Sequence, residues 1–429
     1  MKIYRNPPAS DWFTILQRPL MDVSELEASV SAILQKVADQ GDEAIRFYTE
    51  KFDGVRLGSI QVQAEEFAKA EEQLDQDLKD AIQTAYQNIE RFHRQQQLEP
   101  VVVETMPGVR CWQRSVGIEK VGLYIPGGSA PLFSSVLMLA IPANIAGCKE
   151  IILCTPPSKD GSVHPAILYT AQLVGVTAIF KVGGAQAIGA MAYGTETVPK
   201  AYKIFGPGNQ YVTAAKQLVN KSGLPIDMPA GPSEVLVLAD DTANPEFVAA
   251  DLLSQAEHGA DSQVVLVALN DEMVERSLQA VERQLSALPR QEIARRALEN
   301  SLAVVLKSMP EAIALINEYA PEHLILLTND ANEVALQIQN AGSVFIGHFT
   351  PESIGDYASG TNHTLPTNGF ARSYSGVNLD AYVKKITFQE VTPTGLKQVG
   401  PVVEKMAAAE QLDAHKNAVS IRLQSLQTN

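Results

Sequence analysis

The sequence of 429 residues is poor in cysteine and in basic side chains. Its three cysteines, Cys111, Cys148 and Cys154, form no CxxC pair, which fits a reducing compartment better than a disulfide framework. Lys and Arg total 34 against 49 Asp and Glu, giving a net charge of −15. A nucleic-acid partner needs clustered Lys and Arg, so this charge argues against one.

Long hydrophobic runs are also missing. The first residues contain no apolar stretch of the kind that a signal peptide carries. The most apolar segment, 134–148, is interrupted by Pro142 and Asn144 and is too short to cross a bilayer. We therefore expect a cytoplasmic protein with no membrane partner. Its length predicts two or more domains.

Two series of short apolar runs are the main structural pattern. Helix-compatible stretches separate the runs, an alternation that indicates parallel βαβ units and an α/β fold. A rigid turn at 229–232 is a plausible boundary between the series, and the last fifty residues look helical, with no strand run. The runs lie at 121–125, 151–154, 177–182 and 202–205, then at 235–239, 264–268, 303–306, 324–327 and 343–346.

Glycine-containing turns follow three strands of the first series, at 124–129, 182–186 and 205–209. Ligands bind at the carboxyl ends of parallel strands, and glycine lets the backbone approach them closely. Each turn lacks part of the dinucleotide-binding fingerprint, however. A nucleotide cofactor and ordinary tight turns both remain open from this pattern.

Histidine and carboxylate residues collect in the second half of the chain. The segment 244–259 predicts a helix that carries Asp251, Gln255 and His258 on one face, with the last two at its negative end. A cation site there is one interpretation. The other, which this segment alone favours, is that His258 simply bonds the final carbonyls.

Three further groups carry similar side chains. Asp356 stands in a polar segment with His348 and His363, either as a zinc ligand or as the first residue of a turn or helix. Glu322 and His323 lie at the irregular entry to a strand, where they either share acid–base work or divide between water and the core.

Glu410 and His415 form the last group. On one unbroken helix they would diverge by about 140°. They share a ligand only if the helix starts or bends near Glu410.

Several long motifs together resemble histidinol dehydrogenase, in unbroken order from about residue 20 to the end. They are VGLYIPGGSAPLFSSVLMLAIPA (121–143), VGGAQAIGA (182–190), FGPGNQYV (205–212), IDMPAGPSEVLV (226–237), SQAEHGADSQ (254–263), APEHL (320–324), GDYASGTNHTLPT (355–367) and AEQLDAH (409–415).

The resemblance implies a zinc- and NAD-dependent oxidation of L-histidinol to L-histidine through the aldehyde, in histidine biosynthesis. It implies one zinc per subunit, which orients the substrate, with His323 as base and Glu322 activating water for the second oxidation. The implied zinc ligands, which also face the substrate together with His323, are Gln255, His258, Asp356 and His415. Further substrate contacts fall on Ser233, His363 and Glu410.

The same resemblance assigns the NAD contacts to Tyr124, Gln186 and Asn209. It implies two incomplete Rossmann-like domains, one of residues 22–123 and 234–376 and one of residues 124–233. Residues 1–21 would be an N-terminal extension, and 377–429 a helical domain that reaches the partner of a domain-swapped homodimer, donating His415 and Glu410. His348 receives no role.

Three other functions are compatible with the residues alone. A zinc hydrolase would use Glu322 and His323 on a metal-bound water but gives the glycine turns no role. A non-enzymatic ligand-binding protein has no use for an acid–base pair. An aldehyde dehydrogenase with Cys111 or Cys154 as nucleophile lacks a basic partner nearby in sequence.

Overall fold

The computed structural model of the chain describes residues 1–18, 24–127, 131–229 and 231–427. Part of the first glycine turn, at 128–129, and residue 230 of the expected boundary lie outside the described residues. The chain divides into two compact units. One contains Met1–Gln96 and Ile118–Tyr382, and the other contains Gln97–Gly117 and the residues from Val383 onward.

Short strands are spread along the chain. In the described residues they are β1 (Lys2–Arg5), β2 (Val103–Met106), β3 (Val109–Gly117), β4 (Lys120–Tyr124), β5 (Glu150–Thr155), β6 (Ala178–Lys181), β7 (Lys203–Phe205), β8 (Glu234–Ala239), β9 (Gln263–Ala268), β10 (Leu302–Val305), β11 (His323–Leu327), β12 (Ser343–Ile346) and β13 (Val383–Val391).

Helices fill most of the sequence between the strands. They are α1 (Ala9–Ile15), α2 (Ser24–Asp53), α3 (Ala64–Gln73), α4 (Gln76–Arg94), α5 (Phe133–Ile145), α6 (Pro165–Leu173), α7 (Gly184–Tyr193), α8 (Gln210–Lys221), α9 (Pro245–Ala256), α10 (Asp271–Leu285), α11 (Gln291–Glu299), α12 (Met309–Tyr319), α13 (Ala331–Ala335), α14 (Glu352–Tyr357), α15 (Pro393–Ala409) and α16 (Asp413–Ser425).

Two parallel sheets form the framework of the first unit. One has the strand order β6-β5-β4-β7, and the other the order β1-β10-β9-β8-β11-β12. Neighbouring strands pair in parallel in both sheets. All nine strand runs predicted from the sequence are present, which confirms the α/β fold with parallel sheets. The edge strand β1 was not predicted.

Each parallel sheet is buried on both faces, which is why its strands are apolar at nearly every position. Along β5, Ile151 and Leu153 enter one core cluster while Ile152 and Cys154 enter another. Residues of β8 alternate in the same way between two clusters of their own. Helices cover both faces, so polar side chains can gather at the ends of the strands.

The second unit contains an antiparallel sheet as well as helices. Its strand order is β13-β3-β2, and β13 pairs with β3 along nine residues, from Val383 opposite Gly117 to Val391 opposite Val109. The expectation that the last fifty residues contain no strand was therefore wrong. Most of β13 is exposed on both faces, so it carries none of the apolar signal by which the parallel strands were found.

The described residues include no helix that is both long enough and apolar enough to cross a membrane.

Candidate active site

The entry to strand β11 places Glu322 and His323 side by side in the interior. Helix α12 ends where Ala320 adopts a left-handed backbone (φ 53°), and Pro321 follows, so the chain enters the strand irregularly. Glu322 and His323 are 6% and 3% exposed, and His323 Nδ1 lies 3.6 Å from Glu322 Oε2. Both are thus buried, and the alternative in which one of them faces water is wrong.

One neighbouring residue contacts both members of this pair through its backbone. The backbone N–H of Glu234, the first residue of β8, donates to Glu322 Oε2 at 2.8 Å. The Glu234 carbonyl oxygen lies 3.1 Å from His323 Nδ1. This carbonyl can only accept, so the contact requires a proton on Nδ1 and makes Nε2 the ring nitrogen that can gain or lose a proton.

Gln255 and His258 come from the end of α9. The helix begins as predicted, with Asn244 Oδ1 accepting from the N–H of Glu246. It ends at Ala256, two residues before His258, so the prediction that His258 lies in the last helical turn was wrong. A turn in which the N–H of His258 donates to the Gln255 carbonyl carries the chain past the helix end.

Asp356 lies in the short helix α14, inside the segment that the sequence left as a polar loop. It stands in the last turn of this helix, so the turn or N-cap interpretation was wrong. Glu352 precedes it by four residues and therefore shares its helix face. Sequence reasoning missed Glu352, although this spacing of two carboxylates was visible.

The side chains of these segments converge. Ligand atoms of His258, Glu352 and Asp356 all lie within 4.8 Å of one another. Asp356 Oδ1 lies 3.5 Å from His323 Nε2, and Gln255 Nε2 lies 3.4 Å from both Glu322 Oε2 and His323 Nδ1. The structure therefore brings together side chains from three chain segments near the amino ends of β8 and β11 in one sheet.

The electrostatics of this cluster favour a bound cation. Burial raises the pKa of Glu322 to about 8 and that of Glu352 to about 8. Burial lowers the pKa of His323, but the carboxylates of Glu352, Glu322 and Asp356 outweigh it and raise the pKa well above its usual value. Within the described part of the chain, none of the three carboxylates has a Lys or Arg partner within 4.0 Å.

Several polar atoms of the cluster are buried with no hydrogen-bond partner among the residues that the structure describes. They include Gln255 Oε1, His323 Nε2 and both carboxylate oxygens of Glu352. Unpaired buried polar atoms are costly, and each of these is an atom that can donate a lone pair. Nitrogen and oxygen donors of this kind suit a divalent metal such as zinc. The residues present therefore fit a metal ion.

The implied substrate contacts lie around the cluster or in the other unit. His363 Nδ1 contacts the Asp356 carbonyl at 2.8 Å, and its Nε2 lies 3.2 Å from the Ser135 hydroxyl of α5. Ser233 immediately precedes β8. His348, which has no assigned role, contacts the Thr242 hydroxyl at 3.2 Å.

Glu410 and His415 belong to the second unit, where both are exposed. Helix α15 ends at Ala409, and Gln411 has a left-handed backbone (φ 59°) before α16 begins. Glu410 and His415 could share a ligand only if the helix started or bent near Glu410, and the structure has such a break.

The three residues implied for NAD binding line one cavity of about 1190 Å³ in the first unit. Tyr124 ends β4, Gln186 lies in the first turn of α7, and Asn209 caps α8. The Tyr124 hydroxyl accepts from the N–H of Gly184 at 3.1 Å, and Gln186 Oε1 is buried with no partner in the described part of the chain. The cavity is large enough for a dinucleotide-sized ligand.

Packing accounts for part of the glycine pattern around this cavity. A Cβ on Gly206 would lie 2.1 Å from the Tyr124 carbonyl oxygen, and one on Gly127 would lie 2.2 Å from Pro156 Cγ. Asn209 Oδ1 accepts from the N–H groups of Tyr211 and Val212, as a helix cap does. These positions thus have structural reasons for their identity besides any ligand.

The chain is similar to known proteins along nearly its whole length. A family model described as histidinol dehydrogenase matches residues 16–423. The histidinol dehydrogenase of Bacteroides thetaiotaomicron is 60% identical over 426 residues, covering 99% of this chain and 100% of the relative. That of Escherichia coli strain K12 is 53% identical over 415 residues, covering 96% and 95%. The crystal structure of histidinol dehydrogenase from Elizabethkingia anophelis has a TM-score of 0.97 at 56% identity, covering 100% of this chain and 99% of that chain.

These matches extend over nearly the whole chain and confirm the resemblance that its motifs indicated. They leave no support for the hydrolase, the binding protein or the cysteine-dependent aldehyde dehydrogenase. The chain belongs to the histidinol dehydrogenase family.

Proposed function

We propose that this chain, an oxidoreductase of histidine biosynthesis by its family, oxidises L-histidinol to L-histidine in two steps that each reduce one NAD⁺. The observation that carries the proposal is the buried pair Glu322 and His323 among metal-type donors. An imidazole and a carboxyl group in contact are suited to removing protons from an alcohol and from water.

Zinc is the proposed metal, held by Gln255, His258 and Asp356, with Glu352 as a further carboxylate of the site. A zinc ion held there would orient the imidazole and amino groups of the substrate, and it would offset the negative charge of the carboxylates that raise the pKa of His323. The unpartnered Gln255 Oε1 and Glu352 oxygens support this assignment, because a cation would satisfy them.

In the first oxidation His323 Nε2 accepts the proton of the alcohol while the substrate carbon gives a hydride to NAD⁺. The contact between His323 Nδ1 and the Glu234 carbonyl supports this role, because it fixes the ring and makes Nε2, which lies 3.5 Å from Asp356 Oδ1, the nitrogen that exchanges a proton. The product is the aldehyde and NADH.

In the second oxidation Glu322 takes a proton from the water that attacks the aldehyde. The hydrated aldehyde then loses a hydride to a second NAD⁺ and a proton, which gives the carboxylate of histidine. The pKa of Glu322, raised to about 8 by burial, supports this role because such a group exchanges protons near neutral pH.

NAD is assigned to the cavity lined by Tyr124, Gln186 and Asn209. Its size, and the unpartnered Gln186 Oε1, support a ligand that brings hydrogen-bond donors. Its incomplete glycine motifs agree with a binding mode that does not use the dinucleotide fingerprint.

The stoichiometry of the reaction tests this proposal. Purified protein is incubated with L-histidinol and NAD⁺, with and without a zinc chelator, and NADH and histidine are measured. Two NADH per histidine, with activity lost on chelation and restored by zinc, are expected. One NADH and accumulated aldehyde would limit the enzyme to the first step, and full activity in the chelator would remove zinc from the proposal.

We further propose a domain-swapped homodimer in which the partner's copy supplies Glu410 and His415 to the site. The exposure of both side chains in the second unit supports this assignment. Mixed dimers of a His258→Ala chain and a His415→Ala chain test it. One intact site of two should restore about half the wild-type activity, whereas sites confined to one chain would leave every mixed dimer inactive.

The domain boundaries given above remain our proposal for how the chain is organised. The six-stranded sheet draws its strands from residues 2–5 and 234–346, and the four-stranded sheet from residues 120–205, which supports two α/β domains. A cytoplasmic location is likewise proposed, and the free thiols of Cys111, Cys148 and Cys154 fit a reducing compartment.

A further inference from the structure

We propose that Arg18, in the N-terminal segment that carries no motif, positions the catalytic pair through Glu234. The inference rests on the proposed roles of Glu322 and His323. It adds a residue that precedes Glu234 by 216 positions in the sequence and that touches neither member of the pair.

The peptide groups of Glu234 are the link between Arg18 and the pair. The N–H of Glu234 donates to Glu322 Oε2 at 2.8 Å, and its carbonyl oxygen lies 3.1 Å from His323 Nδ1. A displacement of this one residue therefore moves the hydrogen-bond partners of both side chains together.

Arg18 holds the side chain of the same residue from the other direction. Its Nε donates to Glu234 Oε1 at 2.6 Å and its Nη2 donates to Glu234 Oε2 at 2.9 Å, a two-point contact that fixes the carboxylate plane. Nη2 also donates to the Tyr319 carbonyl at 2.8 Å, and the guanidinium lies 4.1 Å from the centre of the Tyr319 ring.

This contact is buried, which makes it rigid. The side chains of Arg18 and Glu234 are 16% and 3% exposed, and the N–H of Asn368 donates to Glu234 Oε1 at 2.6 Å. If Arg18 is removed, a buried carboxylate is left without its cation, an arrangement that favours movement of Glu234. Such a movement displaces the peptide groups that orient Glu322 and His323.

The activity and stability of four variants test this role. They are Arg18→Lys, Arg18→Met, Glu234→Gln and the double variant that combines Arg18→Met with Glu234→Gln. We expect Arg18→Met to lower kcat by about 10- to 100-fold, the range for removing a supporting contact, with KM for NAD⁺ unchanged. Arg18→Lys keeps the charge but not the two-point contact, so its kcat should lie between that of the wild type and that of Arg18→Met. Added guanidinium should partly restore kcat in Arg18→Met.

The double variant distinguishes an effect of Arg18 through the position of Glu234 from other effects of removing its charge. If Arg18 acts through Glu234, the effect of Arg18→Met on kcat should be much smaller in the Glu234→Gln background. The exposed ion pair of Arg5 and Asp271 provides the matched control, and Arg5→Met should leave kcat unchanged. Unfolding midpoints of all variants show whether the fold is retained.

If the role of Arg18 is purely structural, Arg18→Met will have a lower unfolding midpoint but an unchanged kcat per folded molecule, and added guanidinium will not raise its kcat. Either result overturns the inference. A failure of the proposed function gives a different result. His323→Asn would then retain activity, independently of the outcome for the Arg18 variants.

A separate observation concerns the cavity assigned to NAD, and again rests on that assignment. The geometry points to Asp53, at the end of α2, as the residue that selects an unphosphorylated ribose. Among the described residues, it is the one carboxylate that lines the cavity, and its Oδ2 is buried with no hydrogen-bond partner. Burial raises its pKa to about 6, so it is ionised at neutral pH.

An ionised carboxylate of this kind accepts hydrogen bonds from ribose hydroxyls and repels a phosphate in their place. The lysines that line the same cavity, Lys51 and Lys159, are exposed and suit the diphosphate of the cofactor. Tyr48 and Phe52 stack on each other beside Asp53, at a centroid distance of 5.5 Å, and form an apolar wall next to the carboxylate.

The ratio of kcat/KM for NADP⁺ to that for NAD⁺ tests this selection. Asp53→Asn should raise the ratio by about 10- to 100-fold, because hydrogen bonds to a charged group change binding by about this factor. Glu50→Gln, on the exposed side of the same helix, should leave it unchanged. An unchanged ratio in Asp53→Asn overturns the inference. If Gln186→Ala also left KM for NAD⁺ unchanged, the assignment of the cavity itself would fail.

Discussion

Replacement of Glu352 by Gln should stabilise the metal-free protein and weaken its metal binding. Glu352 is 1% exposed, and within the described ranges neither of its carboxylate oxygens has a hydrogen-bond partner. Burial raises its pKa from 4.5 to about 8. The folded chain therefore holds a proton that the unfolded chain releases, and stability is lost as the pH rises from 4.5 to about 8.

The size of this effect follows from the two pKa values. At pH 7 the buried carboxyl group costs about 3 kcal/mol relative to a neutral side chain, and at pH 5 it costs under about 1 kcal/mol. Metal-free Glu352→Gln should thus exceed the wild type in stability by up to about 3 kcal/mol at pH 7, with a much smaller difference at pH 5. Zinc should stabilise the variant less, because the site has lost a charge.

Urea denaturation in a chelator at both pH values, followed by zinc titration, measures both effects. Glu333→Gln, an exposed carboxylate on α13, is the control and should change neither quantity. A metal-free Glu352→Gln protein that is less stable than the wild type, or that binds zinc equally well, would refute the reasoning.

Three further outcomes follow from the site. His323→Asn should lower both oxidations by about 10²- to 10⁴-fold, whereas Glu322→Gln should lower the aldehyde step more than the alcohol step, as measured with each substrate separately. Cys111→Ala and Cys154→Ala should retain activity, since burial raises the pKa of the Cys154 thiol and disfavours its reactive form, and loss in either variant would contradict the His323 assignment. Tyr124→Phe removes the acceptor of the Gly184 N–H and should raise KM for NAD⁺ about 2- to 10-fold, with an unchanged KM counting against the cavity.

The parallel strands could be predicted from the sequence because both faces of their sheets are buried. Runs such as VLVLA in β8 and VVLVA in β9 are apolar at every position, as is typical of strands that are buried on both faces. Strand β13 could not be found in this way. Its residues are mostly exposed, and its partner β3 lies more than 250 residues away in the sequence, so neither periodicity nor a turn indicated the pairing.

The site was predictable in its members but not in its geometry. The family motifs named Gln255, His258, Glu322, His323 and Asp356, and the structure brings these five together. No local pattern showed that α9 would stop before His258 or that a helix would form around Asp356.

Two residues that matter to our account were not identified from the sequence. Glu352 was missed because its segment was interpreted as a loop, although its spacing of four residues from Asp356 was visible. Arg18 was hidden because its partner is 216 residues away and no charge pattern links them. Both depend on tertiary contacts, which a single sequence does not reveal.

The central claim is that a metal ion binds among Gln255, His258 and Asp356 and beside His323. Diffraction from crystals of zinc-loaded protein, measured on both sides of the zinc absorption edge, tests this directly. We predict an anomalous peak about 2.0–2.2 Å from a His258 nitrogen and an Asp356 oxygen. A fully active protein with no peak in this cluster, or with its zinc bound elsewhere, would contradict the account.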